Sequence, residues 1–223
     1  MTTFDRQVIA RLFSENCKVS RKSIFGDRDP KPVNFAEDAN TMFAGYVGAR
    51  YRPGNVLLIA INPGGGGDAY IQTSHDRQFY PLLRELRDAE GVSALAPFEA
   101  INRTFAEVLP RWNVMGIVSP VLEAADTTLD AVAYLNAVPY RTRNDSTPLV
   151  SATINAWHQL TWPVIAALRP GMVVALGKKV GHVLSRFNLG STKTFVVPRT
   201  IGDTYVSEDA KAVLAEIRES VRR

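Results

Sequence analysis

Asn62 and Asn136 are polar amides set at the ends of apolar segments. Asn62 follows the run Val56 to Ile61 and precedes Pro63, a neighbour that biases it to an extended conformation. Asn136 lies in Tyr134-Leu135-Asn136-Ala137-Val138-Pro139-Tyr140-Arg141, where an unpaired buried amide would cost a few kcal/mol. A carboxamide offers a donor and an acceptor side by side, the pattern that grips the edge of an amide-like heterocycle such as a pyrimidine. At Asn62 the same group reads either as an orienting contact to a water or polar ligand, or as the Asn that closes a turn. Gly64 to Gly67 come next, as a pliable strand exit or as backbone that approaches a ligand and presents its N–H groups. Basic residues follow the other apolar segments: Arg141 and Arg143 with Asn144, Lys178 and Lys179 after Gly177, and Arg199 with Thr200 after Pro198. They suit a phosphate backbone or a solvated surface, and if they share one rim they concentrate positive charge there. Asp68 and Asp203 could face the same region, and Asp68 is a secondary candidate for activating water.

Other chemistries fit less well. Gly64, Gly66 and Ala69 match G-x-G-x-x-A, with Asp88 about 20 residues further on, a dinucleotide fingerprint in form. That fingerprint needs its third small residue where a helix packs on the sheet, whereas Tyr70, Gln72, Thr73 and Ser74 follow and a helical period starts only near Phe79. No Lys-Ser or Lys-Thr follows the glycines, so a triphosphate-binding loop is absent. Cys17 is the single cysteine; it cannot form an intramolecular disulfide, and no Cys/His cluster offers the roughly four ligands of a structural zinc or iron–sulfur site. No metal and no cofactor are expected. His75, after the glycines, could enter a site, while His158 and His182 read as structural helix residues and Trp112, Trp157 and Trp162 as core.

The scaffold that must carry these residues has 223 residues, 46% of them hydrophobic. That suffices for one domain with a sizeable core. No apolar run reaches the roughly 20 residues of a membrane helix and no secretory signal opens the chain, so a cytoplasmic protein without a membrane partner is expected, with a monomer as the default. The net charge of +4 permits an anionic partner without requiring one. Phe4, Val8, Ile9, Leu12 and Phe13 predict an opening amphipathic helix, and Ser20 to Asn40, with Pro30 and Pro32, predicts an irregular excursion. Residues 1–50 thus read as an N-terminal extension of a core spanning 51–223. Val56 to Ile61, Ala131 to Val138, Met172 to Leu176 and Thr194 to Val197 read as strands, the most apolar of them buried on both faces. Helical patterns cover Phe79 to Asp88, Ile101 to Leu109, Ile154 to Leu168, Lys179 to Phe187 and Ser207 to Val221, the last capped by Ser207. The alternation predicts an α/β fold, a three-layer α/β/α sandwich around a short, mainly four-stranded parallel sheet. In such sheets ligands bind beyond the carboxyl ends of the strands, where the residues above lie.

Ile61-Asn62-Pro63-Gly64 after an apolar strand resembles the first motif of the uracil-DNA glycosylase superfamily, in the Asn-Pro-Gly version of its mismatch-specific and single-strand-selective branches. Phe79-Tyr80-Pro81-Leu82-Leu83 resembles the segment carrying the ring that stacks on the base, and Leu135-Asn136-Ala137-Val138 the segment whose Asn recognises uracil. Trp157 to Leu168, Arg169-Pro170 and Val173 to Lys178 resemble the helix, turn and third strand of that fold. The ordered set covers roughly residues 50 to 220.

The resemblance implies a protein that flips a nucleotide out of DNA and hydrolyses its N-glycosidic bond, with DNA as partner. Asn62 would position the water, Phe79 would stack on the base and Asn136 would read its edge, with Ile61, Pro63 and Gly64 around them. Arg141, Arg143, Lys178, Lys179, Arg199, Thr200 and Ile201 would meet DNA. Branches that hold an iron–sulfur cluster are excluded by the lone Cys17. The second motif departs from the pattern: in Val196-Val197-Pro198-Arg199-Thr200-Ile201-Gly202-Asp203, Val197 takes the slot of a His or Asn and Arg199 that of a Ser. Valine donates no hydrogen bond, and one missing donor to a developing anion costs about a hundred- to a thousandfold in rate. Arg199 is the candidate replacement and Ile201 the candidate wedge. The alternatives are a non-catalytic nucleobase- or nucleic-acid-binding protein and a hydrolase of small heterocyclic ligands.

Overall fold

The computed structural model describes residues 4–32, 42–64 and 74–222. Five strands, β1 (Tyr46–Val47), β2 (Val56–Ala60), β3 (Ala133–Asn136), β4 (Met172–Leu176) and β5 (Lys193–Val197), form one sheet in the order β1-β3-β2-β4-β5. The pairs β2–β3, β2–β4 and β4–β5 are parallel, and β1 runs antiparallel to β3. Every residue of β2, β3 and β4 is buried, which requires cover on both faces of the sheet. At the open edge, β5 is exposed at Lys193 and Thr194 and becomes fully buried only at Val197.

The helices are α1 (Arg6–Cys17), α2 (Arg21–Phe25), α3 (Ser74–Asp88), α4 (Leu95–Val108), α5 (Met115–Ala124), α6 (Val150–Ala156), α7 (Trp162–Leu168), α8 (Lys178–Leu184) and α9 (Glu208–Arg222). Asp5 caps α1 through the Gln7 amide, and Ser20 caps α2 through that of Ser23, each satisfying a donor that the first turn leaves over. Ser207 accepts from the Ala210 amide at 3.3 Å at the head of α9, as its position predicts. A π-helical turn, Trp157–Thr161, joins α6 to α7. It aims the Thr161 hydroxyl at the Ala137 carbonyl, 3.0 Å away, just behind Asn136.

Buried side chains from Ile9 to Ile217 form one continuous core. The described residues of the 1–50 segment share in it: α1 contributes Ile9 and Phe13, and β1 adds a fifth strand to the four expected. Two residues are too few for a strand period, so β1 carries no local signal. The excursion expected to be irregular from Ser20 to Asn40 holds α2 and a 3₁₀ turn, Gly26–Arg28; its residues 33–40 lie outside the described ones. There Arg21, only 3% exposed, pairs with Asp29, lies over the rings of Phe25 and Tyr140, and donates to the Arg141 carbonyl at 3.0 Å. The segment therefore braces the loop that follows β3. α5 had no clear pattern in the sequence because its face is broken by Pro120 and it is apolar nearly throughout. No helix among the described residues is long and apolar enough to cross a membrane.

Cys17 at the end of α1 is 3% exposed, and burial pushes its thiol up to about 12. The folded chain is expected not to react with a thiol reagent at mildly alkaline pH, and to expose one titratable thiol once unfolded. Because the unfolded thiol ionises from about pH 8.5 and the folded one does not, stability should decline as pH rises above that value. Rapid labelling of the native protein would show that α1 is not packed as described.

Candidate functional site

Across the β2–β3 pair Ala60 stands opposite Asn136. The ladder continues past both strands, the Ala137 amide on the Ala60 carbonyl at 2.8 Å and the Val138 amide on that of Ile61 at 2.9 Å. Asn62 and Asn136 therefore emerge at the same carboxyl edge of the sheet. Both line a cavity of about 610 Å³, together with Ile61, Pro63, Gly64 and Phe79.

The half-buried Asn62 donates from Nδ2 to Thr142 Oγ1 at 3.0 Å, and that hydroxyl donates to the Ser146 carbonyl at 2.5 Å. A hydroxyl has one proton, already given to Ser146, so it can only accept from Asn62. This relay fixes which way the carboxamide is turned. Its Oδ1 is engaged by no hydrogen bond among the described residues and remains an acceptor for a water or ligand. Asn136 is 6% exposed and its Oδ1 is buried without a partner. An acceptor left so costs about 1–3 kcal/mol, a deficit that a ligand N–H would relieve.

The aromatic wall is broader than Phe79. That ring is 1% exposed and packs at 5.1 Å on Phe43 and 6.5 Å on Trp112. Phe43 and Trp112 are half-buried and line the same cavity; Trp112, expected as core alone, does both. His75 also lines it and accepts the Trp112 indole N–H at Nδ1, 3.3 Å away. In the neutral ring the remaining proton then sits on Nε2. His158 and His182 are exposed residues away from the cavity.

The expected basic rim is not assembled. Arg141 lines the cavity, but its Nη2 is 2.8 Å from Asp76 Oδ1, its Nη1 donates to the Tyr80 hydroxyl at 3.0 Å and its Nε to the Gly64 carbonyl at 2.8 Å. With Asp76 1% exposed, this guanidinium ties the loop after β3 to the loop after β2 and the start of α3, and is not open to a phosphate. Arg143 is exposed outside the cavity with its Nε on the Lys31 carbonyl at 3.1 Å. Lys178 lies 3.7 Å from Asp209 and, like Lys179, is exposed and not among the described lining residues. Arg199 lines the cavity and is ion-paired to Asp203. Thr200 donates to the Tyr205 carbonyl at 2.9 Å, and Ile201 is 98% exposed at the tip of the turn after β5. Val197 is fully buried opposite Leu176. Asp68 lies outside the described residues, as do Gly66 and Ala69 of the dinucleotide-like pattern.

Phe43, Asp76 and Thr142 were not picked out from the sequence. Phe43 lies beyond the excursion, where nothing local marks it. Asp76 meets Arg141, and Thr142 meets Asn62, from about 65 and 80 residues away in the chain. No protein-family model and no curated protein matches the chain.

Asp76→Ala should destabilise the fold by about 3–5 kcal/mol, the cost of leaving a largely buried guanidinium uncompensated. The double variant Asp76→Leu with Arg141→Met should lose less than the single one. Denaturant midpoints of the three proteins check this, and an Asp76→Ala protein as stable as the parent would show that the pair does not brace the loops.

Proposed function

We propose that this chain is a base-recognising hydrolase of the uracil-DNA glycosylase type, cleaving the N-glycosidic bond of a nucleotide flipped out of DNA. On this reading its α/β fold is the three-layer α/β/α sandwich of that superfamily. The observation that carries the reading is the pair of carboxamides sharing one cavity, each with an uncommitted Oδ1: one turned by Thr142, the other buried without a partner. Asn136 accepts an N–H from the base edge, and Asn62 accepts from a water and turns its lone pair toward the sugar carbon. The aromatic wall of Phe43, Phe79 and Trp112 offers a stacking surface. Ile201 is suited to fill the gap that an extruded nucleotide leaves in the stack.

A second reading, base binding without cleavage of DNA, is favoured by one specific arrangement. Val197 offers no donor, and the cations of the cavity wall at Arg141 and Arg199 are already paired with carboxylates. Such a protein would bind the base in the same cavity but would lack the steep fall of DNA affinity with salt that phosphate contacts produce.

Incubation with oligonucleotides carrying uracil, hypoxanthine or a mismatch should give an alkali-labile abasic site with at least one of them. Asn62→Ala and Asn136→Ala should each slow the reaction by about a hundred- to a thousandfold, the scale of a lost preorganised contact. No product above the Asn62→Ala background on any of the substrates would sink the hydrolase reading, and salt-insensitive binding of free base would then support the second.

A further inference from the structure

Most charged groups of the cavity wall are already committed to one another. Arg141 is held by Asp76, and Arg199 by Asp203 just behind the wall. Two charges are left, Arg111 after α4 and Asp145 on the loop after β3, both exposed. With Asp203 counted, three arginines stand against three aspartates, so the cavity carries no general excess of positive charge. An anion can be met only locally. Arg111 is the group that can do so: it lines the cavity and makes no hydrogen bond or ion pair among the described residues.

The backbone under Arg111 is fixed. It ends the 3₁₀ turn Leu109–Arg111, where the Trp112 amide donates to the Leu109 carbonyl at 3.0 Å and the Trp112 carbonyl accepts the Met115 amide at 2.9 Å. Arg111 thus leads directly into a ring of the aromatic wall, and the exposed Asn113, its side chain also without a hydrogen bond among the described residues, lines the cavity two positions on. Burial grades along the cavity: Phe79 and Asn136 are buried, Trp112 is half-buried, and Arg111 and Asn113 are exposed. A base seated on Asn136 and the rings therefore has its sugar and phosphate toward the exposed end. At about 610 Å³ the cavity is roomier than one pyrimidine ring requires and falls in the roughly 300–1,000 Å³ range of sites that enclose a whole small ligand. A guanidinium fork can meet two phosphate oxygens at once. A strand asks for more, a cation for each phosphate it lays down, and Arg143, Lys178 and Lys179 are not in the wall.

We propose that the cavity reads one phosphate, through Arg111 with Asn113 beside it, and so takes a nucleoside monophosphate outside any strand as a complete ligand. This rests on the base-pocket reading above, and adds the phosphate and the group that meets it. Three probes with an uncleavable C-glycosidic bond test it by calorimetric titration into the full chain: 2′-deoxypseudouridine, its 5′-monophosphate, and a single-stranded oligonucleotide carrying the same residue. The parent should bind the monophosphate at least about tenfold more tightly than the nucleoside, the scale of a charge-assisted hydrogen bond. Arg111→Gln should remove that preference and leave nucleoside affinity within about twofold; the side chain is exposed, so the variant should fold. Arg111→Lys should keep part of the preference, Asp145→Asn should raise it by removing the other exposed charge, and Arg143→Gln, outside the cavity, should leave it unchanged. The oligonucleotide should bind no more tightly than the monophosphate, with a log–log salt slope near about −0.7, that of one phosphate in a single strand. Equal binding of nucleoside and monophosphate, a preference that survives Arg111→Gln, or a tighter oligonucleotide with the slope of several phosphates overturns the proposal and leaves the base pocket standing. Binding of none of the three overturns both.

Discussion

The level register of β2 and β3 sets the two carboxamides of the site at one edge. Ala60 faces Asn136, and two further backbone hydrogen bonds carry the pairing beyond the strands. Side chains alternate faces along a strand, so a slip of one residue would turn Asn136 away from the edge it shares with Asn62. β2, β3 and β4 are buried over their whole length, and the backbone hydrogen bonds beyond both strands hold the pairing in step. β1 guards the outer side of β3, and Thr161 from the π-helical turn engages the Ala137 carbonyl just beyond Asn136. A two-residue strand and a widened helical turn, neither of which contributes a side chain to the cavity wall, thus keep its key carboxamide in place.

Two arginines in this molecule act as ties between loops. Arg141 joins the exits of β2 and β3 through Gly64 and Asp76, while Arg21 reaches the Arg141 carbonyl from the N-terminal segment. Each guanidinium has several donors in a rigid fork, so one side chain can hold three partners at once. The consequence is electrostatic as well as mechanical. Of the five basic residues that follow strand ends, only Arg141 and Arg199 reach the cavity, and both face buried carboxylates. These five residues therefore do not form a basic rim around the cavity.

The sheet was legible because parallel strands buried on both faces are written as unbroken apolar runs, and because the residues just after such runs must be the ones at a binding edge. That logic isolates Asn62, Asn136 and Arg199 without knowledge of the fold. It fails for β1, which is too short to have a period, and for α5, whose Pro120 and nearly uniform apolar character hide its face. It fails also for Asp76 and Thr142. Nothing in Ser74-His75-Asp76 or Arg141-Thr142-Arg143 says that one carboxylate will meet Arg141, or that one hydroxyl will orient Asn62. A residue whose role is to turn another residue has no local signature, because its partner is defined only once the chain has folded. The basic residues show the converse error: Arg141 is consumed by a long-range pair, Arg199 by a pair within its own turn, and Arg143, Lys178 and Lys179 lie outside the cavity wall.

The two carboxamides are made unequal by their surroundings. Thr142 has spent its only proton on Ser146, so Asn62 must give it an N–H and keep its oxygen outward. That oxygen belongs to a half-buried residue and meets no protein donor among the described residues. Asn136 has no such neighbour, and its buried oxygen lacks any partner. Water at an exposed acceptor is exchangeable, whereas an unsatisfied buried acceptor penalises the empty site until a donor arrives. The same side chain, set at the ends of adjacent parallel strands, thus presents an oriented, half-buried acceptor at one strand and an unsatisfied buried acceptor at the other. The difference comes from a single hydroxyl whose hydrogen bond is already committed.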